Sequence, residues 1–229
     1  MHLNSELIFK KYGLSRFKSG LKVLEVAPAS HPSRYQELVQ GLVKDRSITW
    51  ETIDFVSTEY IDQAAVNNLT YELKSPYSFP LGDESYDIVL SGQVLEHVEK
   101  IWVWLKELKR VVKKGGLIIT INPVSWIYHE APIDCWRVYP SGIGALADEA
   151  GLAVELARFE SVELEQLKQE DPGVYTIPGR SYAYCYSAKK LSVIKRWNKL
   201  IRKVPKAGFF LPIPIEVAYD TISVLKRVE

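Results

Sequence analysis

"VLEVAPASHPSRY", Val23–Tyr35, decides how the rest of the chain is read. An apolar, β-branched run ends in an acid and a tight turn, and a helix-forming stretch begins. This is the strand–loop–helix layout with which an open α/β sheet holds a nucleotide-like ligand. The glycines that such loops usually need are absent.

The surrounding sequence repeats the alternation. "GLKVLEVA" predicts a buried strand and "RYQELVQGLVK" the helix after it; "ITWETIDF" predicts a second strand ending in Asp54. Residues 56–70 are ambiguous, with a possible short strand at "LTYEL". "YDIVLSG" (Tyr86–Gly92) is an apolar, β-branched core bounded by acids before it and glycine after it. "IWVWLKELKRVVKKGG" places Trp104, Leu105, Leu108, Val111 and Val112 at helical spacing and ends in a Lys-Lys-Gly-Gly C-cap signal. "LIITINP" predicts another buried strand, and an aromatic and polar loop, "VSWIYHEAPIDCWRVYP", follows it. "SGIGALADEAG" reads as a helix stopped by Gly151, "AVELARFESV" as a strand, residues 163–180 as a polar loop or lid, and "RSYAYCYSAKK" as a last strand. Strands alternating with helices predict an α/β fold with a mainly parallel sheet covered on both faces.

Hydrophobic content of 47% and charged content of 25% are ordinary for a globular chain of 229 residues. Cys135 and Cys185 lie far apart, and neither sits in a metal-ligand or CxxC spacing. They argue for a reducing compartment and against a disulfide framework, and no metal is expected. The N-terminus shows no apolar signal region, and no apolar run reaches the length of a membrane span, so a cytoplasmic protein is expected. Charge is uneven: residues 189–229 hold ten Lys/Arg against three Asp/Glu, which leaves the body acidic.

Ligands in such sheets bind beyond the carboxyl ends of the strands. Four strand ends carry candidate residues: Glu25–Ala29, Asp54 with Phe55, Gln93–His97, and Asn122 with Pro123. Asp54 lies 27 residues after Ala27, where an acid accepts hydrogen bonds from both hydroxyls of a ribose. A solvated acid closing a strand is the alternative.

Taken in order, "VLEVAPAS", "ETIDF", "YSFPLGDESYDIVLSGQVLEHVE", "ELKRVVKKGGLIITINP" and "YHEAPIDCWRVYPSGIGALADEAGL" resemble a class I S-adenosylmethionine-dependent methyltransferase. The likeness is to the type 11-like branch with an LEH motif after the fourth strand. It implies a Rossmann-like seven-stranded sheet over residues 1–188, followed by a basic, partly helical extension over 189–229. It implies S-adenosyl-L-methionine as cofactor. Glu25, Val26, Ala27, Pro28 and Ala29 would meet its methionine end and ribose, and Asp54 would take the ribose hydroxyls. Phe55 would pack on the adenine. Ser75, Pro76 and Tyr77 would lie near the adenine amino group, where relatives often have an acid that here is missing or displaced to Glu72. Gln93 and Val94 would line the methionine side. The "YHEAP-DCWR-YP" segment is similar to a bacterial subgroup found with glycan or natural-product biosynthesis.

The departure from the family pattern lies in the opening stretch, where Ala27, Ala29 and His31 stand at three positions that relatives fill with glycine. Glycine permits φ > 0 and close backbone approach; alanine in that conformation costs roughly 1–2 kcal/mol. The cofactor carries no pyrophosphate, so the loop needs a close turn rather than an anion nest.

The segment Trp126–Tyr139 follows the fifth strand and should stand over the transferred methyl. His129 is the expected catalytic base or acceptor-positioning residue, since histidine has a suitable pKa; a loop histidine bonded to backbone is the alternative. Expected acceptor-side residues are His97, Asn122, Trp126, Asp134, Trp136, Arg137 and Tyr139. Arg137 either grips an anionic acceptor or pairs internally with Asp134. His97 reads more as structural than catalytic. The tail "KKLSVIKRWNKLIRKVPK" reads as a basic amphipathic helix, either packed on the domain or available to a partner or membrane surface, and "AGFFLPIPIEVAYDTISVL" as a broken apolar segment with a short helix.

The expected reaction is methylation, at oxygen first, of a small molecule, glycan or peptide in a biosynthetic pathway. A catalytically inactive relative serving as a binding or scaffold protein and an N-methyltransferase are the competing readings. Nucleic acid is not an expected partner, because the body is acidic and no reader motif is present.

Overall fold

The structure is a computed structural model, and its described residues are 2–43, 47–55, 69–130, 132–176, 183–187, 196 and 215–228. Helices are α1 (Leu3–Ile8), α2 (Arg34–Leu42), α3 (Ile101–Val111), α4 (Pro140–Ala150) and α5 (Val162–Glu170). The first six strands are β1 (Lys22–Val26), β2 (Thr49–Phe55), β3 (Tyr71–Leu73), β4 (Tyr86–Gly92), β5 (Val112–Pro123) and β6 (Ala153–Glu160). Four more follow: β7 (Val174–Tyr175), β8 (Tyr184–Ser187), β9 (Ile215–Glu216) and β10 (Asp220–Lys226).

The central sheet has seven strands in the order β3-β2-β1-β4-β5-β10-β6. Neighbours from β3 to β5 run parallel, and β10 lies antiparallel between β5 and β6. Successive side chains of a strand face opposite sides, so continuously apolar strands fill two cores. Leu24, Val89 and Ile118 face the core under α3 and α4, with Trp104, Leu108, Ile143 and Ala147. Val23, Ile88, Ile119 and Ile222 face the second core, under α1 and α2, with Ile8, Phe9, Tyr35 and Val39. The expected mostly parallel sheet with two covered faces is the architecture found, and Trp104, at 1% exposure, is core.

Three local expectations are corrected. The Lys-Lys-Gly-Gly run does not cap α3: the helix stops at Val111, Val112 is extended, and Lys113–Gly116 form the irregular start of β5. The last carbonyls of α3 are instead met by Arg227, whose guanidinium donates to the carbonyls of Lys109, Arg110 and Val112. The polar segment read as a loop or lid contains α5, capped by Ser161, whose hydroxyl accepts from the Leu164 N–H at 3.2 Å. Its few apolar positions, Val162 and Leu164, are buried, which a mainly polar composition conceals.

The third correction concerns the seventh strand. Tyr184–Ser187, read as the last strand, joins β7 and β9 in a separate three-stranded set. The seventh strand of the main sheet is β10, where a short helix was expected. Asp220–Leu225 is buried on both faces, and its β-branched Thr221, Ile222 and Val224 suit a central strand better than a helix. The expected division between 1–188 and 189–229 therefore cuts through the main sheet. The basic stretch 189–206 lies outside the described residues except for Arg196. Among the described residues no helix is long and apolar enough to cross a membrane.

Candidate active site

The strand ends line up across the sheet. Val26 pairs with Ile53 and with Ser91, Gly92 pairs with Ile121, and Asn122 pairs with Thr221. One step further along, Asp54, Ala27, Gln93 and Asn122 stand in a row at the carboxyl ends of β2, β1, β4 and β5. Asp220, at the start of the antiparallel β10, reaches the same edge.

The loop after β1 is anchored at both ends. Glu25 is buried and accepts from the Ser33 hydroxyl at 2.6 Å and the Trp50 indole N–H at 2.9 Å. Ser33 in turn accepts from the Gln36 N–H, so the residue that closes the loop also caps α2. Burial pushes the Glu25 carboxyl up to about 7, against the pull of the Ser33 and Trp50 hydrogen bonds. Its side chain thus holds the loop in shape, and Val26 points into the core, while Ala27 to Ala29 form the turn itself. Ala27 has φ of 52°, the left-handed conformation that glycine favours, and its N–H donates to the Ile53 carbonyl at 2.8 Å. Of the three positions where relatives carry glycine, only Ala27 has a positive φ.

Asp54 is 9% exposed, and burial raises its carboxyl to about 6, partly offset by the Phe55 N–H that donates to it at 2.7 Å. Glu72 pairs beside it in β3. Phe55 and Tyr77 are half-buried against the core. Ser75 to Tyr77 form a turn in which the Ser75 hydroxyl accepts from the Tyr77 N–H, and the Tyr77 hydroxyl accepts from the Lys100 N–H ahead of α3.

Gln93 also has a positive φ, 62°, and its amide nitrogen lies 3.2 Å from Asp220 Oδ1 and 3.5 Å from the Ser5 hydroxyl. Asp220 accepts from Asn4 Nδ2 at 2.7 Å and has His2 Nε2 at 3.0 Å. The Ser5 hydroxyl lies 2.5 Å from that of Tyr35. Tyr35 explains Gly92: a Cβ there would come within 2.4 Å of the tyrosine oxygen. Asn4, Ser5, Tyr35 and Asp220 were not singled out from the sequence. They come from the N-terminal helix and the misread last strand, and no local spacing links them to Gln93.

On the acceptor side, the LEH turn (Leu95–His97) packs under the loop that follows β5. The Cys135 N–H donates to the Glu96 carbonyl at 2.7 Å, and the Trp136 indole N–H donates to the carbonyls of Val98 and Glu99. Arg137 forms a two-pronged pair with Asp134, the internal bridge that was one of its two expected readings. That pairing holds the Asp134 carboxyl down to about 2. Asp134 also accepts from the His129 N–H at 2.8 Å. His129 Nδ1 sits 3.0 Å from the Ile127 carbonyl, which can only accept, so Nδ1 carries the proton and Nε2 the lone pair. His97 shows the same arrangement, with Nδ1 donating to the Ile133 carbonyl. Burial lowers the pKa of His97, and the two rings meet edge to face at 4.9 Å. Glu96 is fully buried with neither carboxyl oxygen hydrogen-bonded, and burial raises it to about 8.

Asn122 donates to the Val138 carbonyl at 3.0 Å, while its buried Oδ1 has no hydrogen-bond partner. Trp126 is exposed and stacks on His2 at 4.8 Å, and Tyr139 is exposed and tilts against Phe159. The structure thus brings His97, His129, Asp134, Trp136 and Arg137 into one cluster, and leaves Trp126 and Tyr139 at its margin.

Comparison with known proteins agrees with this layout. Residues 34–120 match a methyltransferase domain family. This segment runs from α2 to the middle of β5, taking in the ends of β2 and β4 but not β1, the loop after it or Asn122. An uncharacterized methyltransferase of Schizosaccharomyces pombe is 40% identical over 60 residues, covering 26% of this chain and 22% of that protein. A demethylmenaquinone methyltransferase of Alkalihalophilus pseudofirmus is 24% identical over 132 residues, 52% of this chain and 56% of that one. The chain spans less than two thirds of the length of these curated relatives. A SAM-dependent methyltransferase from Aquifex aeolicus superposes with a TM-score of 0.51 at 17% identity, covering 96% of this chain and 89% of that one. The fold is that of the Rossmann-like methyltransferases. The sequence matches thus cover a methyltransferase segment of the chain, and the structural match gives the fold around it.

Proposed function

We propose that this chain binds S-adenosylmethionine across the ends of β1, β2 and β4 and transfers its methyl group to an oxygen acceptor held under the loop after β5. One observation carries the reading: Ala27 takes the left-handed turn of a cofactor loop, in register with the buried Asp54. Asp54 accepts the ribose hydroxyls, a task that suits a carboxylate with few protein donors. Backbone groups of Ala27 to Ala29 and of Gln93 and Val94 approach the methionine end. Phe55, Pro76 and Tyr77 supply apolar surface for the adenine.

Transfer needs an acceptor lone pair in line with the sulfonium methyl, so positioning supplies much of the rate. His129 presents Nε2 as a base for a hydroxyl acceptor, oriented by Asp134 and the Ile127 carbonyl. The Asp134–Arg137 pair fixes the loop that carries His129. The acceptor class is a small molecule, glycan or peptide, and the name of one relative adds demethylmenaquinone to the compounds to be tried.

The test is transfer of labelled methyl from S-adenosylmethionine to a panel of hydroxyl-bearing acceptors, with wild type and His129→Ala. Turnover in the wild type that falls in the variant supports the reading; equal turnover removes His129 from the mechanism.

A further inference from the structure

We propose that Glu96, His97 and His129 form a binding site for a divalent transition-metal cation. One potential ligand atom from each lies within 4.8 Å of the others. The spacing of the two cysteines gave no hint of a metal, because this set is assembled from the LEH turn and the loop after β5.

Four features separate this cluster from a chance meeting of side chains. Glu96 is completely buried, and neither of its oxygens has a hydrogen-bond partner. Buried carboxyl groups are almost always partnered, and a cation supplies the missing partner. His97 points Nε2 at Glu96 Oε1 across 3.8 Å, too far for a hydrogen bond between them. Both histidines donate from Nδ1 to a backbone carbonyl, the second contact that commonly fixes a metal-bound imidazole and leaves Nε2 to the metal. Beside His129 stands Asp134, whose Oδ2 lies 3.3 Å from Nδ1 and accepts from the His129 backbone N–H, and Asp134 is itself paired with Arg137.

Two imidazoles and one carboxylate suit zinc, cobalt, manganese or ferrous iron, and are poor for calcium or magnesium, which take oxygen ligands. Metal–ligand distances of about 2.0–2.2 Å require the three side chains to close by roughly an ångström. Three protein ligands leave positions open for water or an acceptor oxygen, the pattern of a catalytic rather than a structural centre. A cation here would lower the pKa of a coordinated hydroxyl, taking over the work of a base while His129 serves as ligand. That last role rests on the methyl-transfer reading; cation binding does not.

The test titrates Co²⁺ into the full chain stripped with chelator, read by visible absorption, and Zn²⁺ by calorimetry. One equivalent should bind and raise the melting temperature. His129→Ala should weaken binding by about 100-fold or more, and the isosteric Glu96→Gln should abolish the metal-dependent rise in melting temperature while the chain stays folded. No saturable binding, or the same affinity in all variants, overturns the proposal. S-adenosylhomocysteine is titrated into the same stripped chain. If it binds while Co²⁺ does not, the cation site falls and the methyltransferase reading stands; Co²⁺ binding without it does the reverse.

Discussion

The backbone N–H of Ala27 donates to the carbonyl of Ile53 at 2.8 Å, while Ala27 itself holds φ of 52°. The hydrogen bond extends the β1–β2 ladder one step past the strand and commits the chain to turn at once. Alanine in this conformation is strained by roughly 1–2 kcal/mol, whereas glycine is not. Ala27→Gly should therefore raise stability by about 0.5–1 kcal/mol, once its greater unfolded-state entropy is set against the strain. Denaturant unfolding of the two proteins checks this. Ala29→Gly, at a position with no positive φ, should gain nothing.

Gly92 offers the opposite case. Any Cβ there meets the Tyr35 ring and hydroxyl at 2.4–2.8 Å. Gly92→Ala should destabilise the chain by about 1–3 kcal/mol through overpacking, and Gly92→Ala with Tyr35→Phe should recover only part, because the ring carbons remain in the way. Full recovery in the double variant would show that the hydroxyl alone sets the limit.

The mainly parallel sheet, its two covered faces and the strand ends were legible because β1, β4 and β5 are continuous apolar runs with sharp boundaries. The seventh strand was not, because its partners β5 and β6 lie far away in sequence and its local pattern also fits a short helix. The Gln93–Asp220–Asn4 network was invisible for the same reason: it joins residues from both ends of the chain. His97 and His129 were each visible as candidate positions and Glu96 was not singled out, and their meeting depends on how the loop after β5 folds back on the LEH turn. Asp134 and Arg137, three residues apart, could be paired on paper, and the pair is what forms.

pH should act through two buried carboxyls. Asp54 is raised from 3.8 to about 6 and Glu25 from 4.5 to about 7. In the window between the ordinary and raised values the folded chain holds more protons than the unfolded one, so stability falls as pH rises through it. The stabilising contribution is full below about pH 4 and gone above about pH 7. Urea midpoints at pH 5 and pH 8 measure the difference, which Asp54→Asn and Glu25→Gln should each reduce.

Asp134 has the opposite sign. Arg137 holds its carboxyl down to about 2, so the pair's contribution is present above pH 4 and lost as pH falls toward 2. Asp134→Asn should cost about 2 kcal/mol at neutral pH and loosen the loop carrying His129. Proteolysis should then cut within residues 126–139 faster than in the wild type; an unchanged rate would show that the loop is held elsewhere.

The most direct test of the cofactor site is calorimetric titration of S-adenosylhomocysteine into the wild type and Asp54→Ala. Binding in the micromolar range or tighter is expected, weakened by about 10-fold or more in the variant, since hydrogen bonds to a charged group contribute ~1.5–3 kcal/mol. Affinity should also rise as pH passes about 6 and Asp54 ionises. Absence of binding by the wild type, or equal binding by Asp54→Ala, would contradict the account.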